Sequence, residues 1–119
     1  MTYPESFDHY QAAWNEPDAT QVRGHLERSL ADGALFIDPA NQVTGIDAIE
    51  AMIKEAHAAM DAQYVRVSGI DGHNRRYRYR WEVRQQGKPA IPGMDVTTLN
   101  EAGRIERIDG FFGDFPPHE

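Results

Sequence analysis

A chain of 119 residues, 40% hydrophobic and 26% charged, has the size and composition of a single globular domain with one core. It contains no cysteine, which removes disulfides, thiolate metal sites and thiol nucleophiles together. A formal charge of −7 opposes a nucleic-acid partner, because phosphate backbones need a positive face.

The longest strongly apolar run, residues 34–37, is far too short to span a bilayer, so no membrane partner is expected. The first ten residues lack the basic-then-apolar pattern of a secretory signal, and a cytoplasmic protein is the simplest expectation.

The first half reads as helices. Phe7, Tyr10 and Trp14 fall at i, i+3 and i+7, one stripe of a short helix that Asn15-Glu16-Pro17-Asp18 ends. Asp18 with Gln21 has the form of a cap and its partner three residues on. Val22, Leu26 and Leu30 then mark a second helix, stopped at Ala31-Asp32-Gly33. Leu35-Phe36-Ile37 is a short strand closed by Asp38-Pro39. Gly45 opens a third helix with a stripe of Ile46, Ile49, Ile53, Ala56 and Met60 and with His57 at its edge.

The period then changes from 3.6 to 2. Residues 64–70 form a strand, and Asp71-Gly72 signals a turn. Over residues 76–84 the alternation is strict, with Tyr77, Tyr79, Trp81 and Val83 on one face and Arg76, Arg78, Arg80, Glu82 and Arg84 on the other. Five of the ten arginines fall between Arg75 and Arg84, a stripe best read as a solvated face paired with Glu82, Glu101 and Glu106. Gln86-Gly87 turns the chain into a strand over residues 91–99, and residues 100–103 turn it again into a last strand over residues 104–112. Helices followed by a four-strand antiparallel meander predict an α+β domain spanning 1–119, with helices on one face of a curved sheet.

Three segments resemble the nuclear transport factor 2-like superfamily, in particular its SnoaL-like and ketosteroid-isomerase-like branches. They are Phe36-Ile37-Asp38-Pro39 followed by Gly45-Ile46-Asp47-Ala48-Ile49, the strand Tyr79-Arg80-Trp81-Glu82-Val83, and the stretch from Gly93 through Ile105 to Gly110-Phe111-Phe112-Gly113. The resemblance implies a cone-shaped, cystatin-like roll: three N-terminal helices packed on a mostly antiparallel sheet that encloses a pocket. It also implies a catalytic set. Asp38 would be the ionised base, near the solvated value of ~3.9. Asp95 would be kept neutral by an apolar site and would donate a hydrogen bond, a behaviour for which steroid isomerase is the standard case. Tyr10 would be a second donor, unless Trp14 occupies the tyrosine position.

The residues themselves allow plainer roles. Asp38-Pro39 suits an Asx-turn, Asp95 suits a cross-strand pair with arginine, and Tyr10 suits a core aromatic. The expected pocket lies between the first and third helices and the sheet. Its lining would be Tyr10, Trp14, Ile53, His57 and Asp95 with an aromatic from Tyr79, Trp81 or Phe112, and Arg66 and His57 would add polarity that argues against a steroid.

The five histidines, His9, His25, His57, His73 and His118, lack the spacing of a metal site, and no phosphate-binding loop or nucleophile elbow is present, so neither metal nor cofactor is expected. The expected occupant is a small hydrophobic or carbonyl-containing ligand, either isomerised or cyclised by proton transfer or simply bound. A dimeric interaction module of the same fold is the remaining reading. Ile108, Phe112 and Met94, placed on the face opposite Asp95, predict a homodimer through the sheet.

Overall fold

The computed structural model describes residues 3–118. Three α-helices lie over one seven-stranded sheet: α1 is Ser6–Asn15, α2 Val22–Ser29 and α3 Ile46–Ala59. The strands are β1 Leu30–Asp38, β2 Asn41–Thr44, β3 Ala62–Arg66, β4 Asp71–His73, β5 Arg76–Gln85, β6 Lys88–Leu99 and β7 Ile105–Phe112. The sheet order is β2-β1-β7-β6-β5-β3, with β4 added to β5, and every pairing is antiparallel except β1 with β7. The α+β class and the meander β5–β6–β7 are as the sequence predicts. Among the described residues no helix is long and apolar enough to cross a membrane.

Several boundaries differ from those read in the sequence. Leu30 leaves α2 and starts β1, so Ala31-Asp32-Gly33 does not stop the chain; it is absorbed as a register shift between Leu30 and Leu35, with Gly33 at φ 70°. Asp18 does cap, but its carboxylate accepts from the backbone N–H of Thr20 at 2.9 Å, at the head of a 3₁₀ turn, and not from Gln21. Asp71-Gly72 lies in β4, and the turn falls two residues later at Asn74 and Arg75, both with positive φ as a two-residue hairpin demands. Strand β2 carries no period-2 signal strong enough to be read.

The inner face of the sheet is set by the register. Tyr79 pairs with Asp95, which pairs with Gly110; Tyr77 pairs with Thr97, which pairs with Ile108; Trp81 pairs with Gly93, which pairs with Phe112. Directly paired residues share a face, so Ile108 and Phe112 lie on the Asp95 side. The expectation that they point outward is therefore incorrect. Ile108 is fully buried, and the outward apolar groups are Met94, Val96 and Phe111. Around them the outer face carries the arginines: Arg78 pairs with Asp71 at 3.0 Å, Arg84 with Glu82 at 2.8 Å and Arg75 with Glu101 at 3.7 Å. Asp71 takes the place expected of Glu106.

The helices cover the inner face. Phe7 of α1 meets Tyr77 and Tyr79 edge-on, at centroid separations of 5.2 and 5.8 Å. Ser6 donates to the carbonyl of Gly103 at 2.6 Å, which holds the start of α1 against the β6–β7 turn. Arg23 of α2 bridges Asp47 and Glu50 of α3 at 2.6 and 2.9 Å. Val22, Leu26, Ile49 and Ile53 close the core between helices and sheet.

One close approach is steric in origin. The Trp81 indole lies directly over Gly93, where an added Cβ would sit 2.2 Å from a ring carbon and 2.6 Å from the Phe111 carbonyl oxygen. Gly93→Ala should therefore displace the indole and lower stability by about 1–3 kcal/mol, read as a lower denaturant midpoint at unchanged slope. An unchanged midpoint would show that Trp81 does not depend on this contact.

Candidate functional site

The curvature of the sheet leaves a cavity of about 260 Å³ between α1, the C-terminal end of α3 and the inner face. An apolar cavity of about 150 Å³ encloses benzene, so by proportion this one accommodates about ten non-hydrogen atoms of an occupant.

Asp95 sits at the floor, 4% exposed, in the middle of β6. Three donors converge on it. Trp81 Nε1–H reaches Oδ1 at 3.0 Å, and the Tyr79 and Tyr64 hydroxyls reach Oδ2 at 3.1 and 3.4 Å. No arginine pairs with it, so the cross-strand ion pair is not the structure's solution. Burial pushes its pKa up, and the three hydrogen bonds pull it partly back, leaving it raised to about 6. Burial holds the Tyr64 and Tyr79 hydroxyls well above the ordinary tyrosine range, so both remain donors. The direction of the Asp95 shift is the one expected, and all three of its side-chain hydrogen bonds are ones it accepts. A carboxylate offers about four acceptor positions. Three are occupied here, and Asp95 is part of the cavity wall.

Asp38 reaches the same cavity from the end of β1. Between the two aspartates lies Gly110 of β7, where an added Cβ would stand 3.1 Å from Asp95 Oδ1 and 3.2 Å from Asp38 Cβ. Asp38 also closes the Asx-turn: its Oδ1 accepts from the backbone N–H groups of Ala40 and Asn41 at 2.9 and 2.8 Å and from Asn41 Nδ2 at 3.2 Å. The Asx-turn and a place in the cavity wall are thus combined in one side chain. All three of these bonds use Oδ1.

Helix α1 supplies Tyr10 and Trp14, and both line the cavity. Burial, then the nearby Asp95, holds the Tyr10 hydroxyl well above its usual range, so it stays protonated as a donor. At the end of α1, Asn15 pairs with the backbone of Tyr64 in both directions, at 2.8 and 2.7 Å, as a neighbouring strand would. That pairing brings Trp14 and Tyr64 into a stack at 6.1 Å.

His57 is in the wall, with Nε2 at 2.6 Å from the Trp14 carbonyl oxygen. Since a carbonyl only accepts, Nε2 carries the proton and Nδ1 is the acceptor of the neutral ring. Trp81 and Phe112 also line the cavity, with their rings edge-to-face at 5.9 Å. Two expected lining residues do not. Ile53 is completely buried, because the cavity opens a turn further along α3, at Ala56, His57, Ala59 and Met60. Tyr79 touches Asp95 from behind, its ring against Phe7. Arg66 is also elsewhere, paired with Asp8 at 2.7 Å and stacked over the Tyr3 ring. Residues that the sequence reading missed are Tyr64, Phe36 and Asn41. Tyr64 could have been found, because β3 must pair with β5 and so places it opposite the inward-facing Val83. Among the described residues no group of three or more His, Asp or Glu side chains converges as a metal site.

A profile described as the SnoaL-like domain matches residues 7–108. Among solved structures, a proposed isomerase of the SnoaL-like family from Agrobacterium tumefaciens is 32% identical, with 92% of this chain and 95% of that one covered and a TM-score of 0.86. A proposed polyketide cyclase from Sinorhizobium meliloti is 20% identical, covering 90% and 94%, at a TM-score of 0.71. A protein of ketosteroid isomerase-like fold from Catenulispora acidiphila, solved with trimethylamine, is 14% identical, covering 94% and 88%, at a TM-score of 0.73. The last two likenesses show the fold. No curated protein matches the chain.

The raised pKa of Asp95 links protonation to stability. Folded Asp95 holds its proton up to about pH 6, whereas the unfolded side chain releases it near ~3.9. Its contribution is therefore fully present below about pH 4 and is lost as pH rises through about 6, for a total of about 3 kcal/mol. Asp95→Asn should remove this component. Compared with the parent by urea denaturation at about pH 4 and about pH 7.5, the variant should gain relative stability at the higher pH. Parallel behaviour at both values would mean that Asp95 is not titrating as described.

Proposed function

This chain belongs to the SnoaL-like family, and from that premise we propose that its cavity takes a small carbonyl compound and moves a proton next to the carbonyl, in an isomerisation or cyclisation. The observation that carries this reading is Asp95, a buried carboxyl poised near neutrality, with an acceptor position to spare, in the wall of an aromatic cavity. A base works best when its pKa lies near the working pH.

In this reading Asp95 takes the proton from carbon. The C–H electron pair becomes the new C=C bond, and the carbonyl π pair moves onto oxygen. The Tyr10 hydroxyl donates to that oxygen, and Asp95 gives the proton back at the new position, while Asp38, across Gly110, faces the same cavity with Oδ2 outside the turn's hydrogen bonds. The roles are thus exchanged relative to those implied by resemblance, with Asp95 as the base and Asp38 as the second carboxylate. The name of the Agrobacterium relative, an isomerase, agrees with this chemistry. An interior open enough to hold a ligand favours it, or a simple binder, over an interaction module.

Loss of α-protons from ketones of about ten heavy atoms or fewer in deuterated buffer, followed by nuclear magnetic resonance, tests the reading. Exchange should accelerate with pH and level off above about 6, and Asp95→Asn should slow it about 10²- to 10⁴-fold. If exchange survives Asp95→Asn unchanged, or the parent protein accelerates none, the cavity is that of a non-catalytic binder.

Pairing of two copies through the outer face is also part of the proposal. Phe111 is 55% exposed there, paired with Met94, beyond which lies Arg80 of the β5 row, and an apolar group flanked by charges is suited to a symmetric contact. Light scattering should give a dimeric mass that Phe111→Glu reduces to that of one chain. A single-chain mass for the parent protein ends this part.

A further inference from the structure

We propose that the cavity selects a small organic cation, an amine- or quaternary ammonium-bearing compound, over neutral or anionic molecules of the same shape. This rests on the cavity being the binding site, as proposed above, and adds the charge of its occupant.

Five aromatic side chains form a continuous band in the wall. Phe36 meets Trp14 at a centroid separation of 6.3 Å, Trp14 meets Tyr64 at 6.1 Å, Tyr64 meets Trp81 at 5.7 Å and Trp81 meets Phe112 at 5.9 Å. Aromatic faces are negative and their edges positive. Here the polar edge groups of Trp81 and Tyr64 are already directed at Asp95, and donation to a carboxylate pushes electron density back into each ring. A cation within about 6 Å of such a ring is attracted to it, most strongly when both are out of water.

Formal charge points the same way. The wall contains two carboxylates, Asp95 and Asp38, and no lysine or arginine. Its one histidine has Nε2 committed to the Trp14 carbonyl. Arg66 is spent on Asp8, and the arginines of β5 lie on the opposite face of the sheet. An anionic occupant would meet two carboxylates and no lysine or arginine, and a neutral one would leave the carboxylates uncompensated in a poorly screened space. A cation satisfies both, and it also eases the proposed chemistry. Taking a proton from a cationic carbonyl compound leaves a species with no net charge, so the negative charge that moves from Asp95 to the oxygen is balanced within the occupant itself, beside Asp38.

Three probes of one shape separate the possibilities: choline, its neutral carbon isostere 3,3-dimethyl-1-butanol, and the anion 3,3-dimethylbutyrate. Both tryptophans of the chain line the cavity, so intrinsic fluorescence reports occupancy and calorimetry confirms it. Choline should bind at least about tenfold more tightly than the alcohol, and the anion should not compete. Phe112→Leu alters only the partly exposed end of the band; it should weaken choline several-fold and leave the alcohol nearly unchanged. Equal affinities for choline and the alcohol, equal losses in Phe112→Leu, or no choline binding at millimolar concentration would each overturn the inference. Asp95-dependent proton exchange persisting alongside such a result would show that the charge assignment failed and the proton-transfer reading did not.

Discussion

A carboxylate removed from water must be given hydrogen bonds or it destabilises the fold, and in this protein that requirement organises the site. Asp95 is met by donors from two strands, Trp81 and Tyr79 on β5 and Tyr64 on β3. Each donor has a support of its own. Trp81 can lie flat because position 93 has no side chain. Tyr79 is braced by Phe7 of α1, and Tyr64 is held in register by the Asn15 amide. The first helix, the central strands and the edge strand thus converge on one acid, and the aromatic wall of the cavity is the outer surface of the shell that satisfies it.

Asp95 and Asp38 both face the cavity but are held by different partners. The donors to Asp95 are side chains inside the protein, and they only partly offset its loss of water. Asp38 draws its donors from the backbone of the loop that it closes, at a partly open edge. One acid answers to the core and the other to a turn. The two carboxylates of one cavity wall thereby rest on different supports.

Much of this was legible in the chain and some was not, for reasons that lie in particular residues. The alternation from Tyr77 to Val83 identified the inner face of β5, because a half-buried strand must alternate. Phe7, Tyr10 and Trp14 identified the covering stripe of α1 for the analogous reason. The face of β7 was misjudged because parity does not carry across a turn of unknown register: Asp95 pairs with Gly110, not with an odd-numbered residue, and that brings Ile108 and Phe112 inside. The same gap hid the pairing of β1 with β7, since a parallel neighbour distant in sequence leaves no local pattern. At Asp38 the residue type pointed to both a turn and a pocket, and only the geometry shows that one side chain does both.

The parallel contact of β1 with β7 has a consequence for how the protein is made. Asp38 is adjacent to Asp95 only because β7 lies between their strands, with Gly110 at the crossing point. The helices can form from local sequence soon after synthesis, but β1 has no inner neighbour until residues near the C-terminus arrive. Assembly of the two-carboxylate wall therefore depends on a long-range contact between residues 35–37 and residues 107–109. During vectorial synthesis the inner edge of β1 stays unpaired until β7 has emerged, and an unpaired strand edge is open to pairing with another molecule.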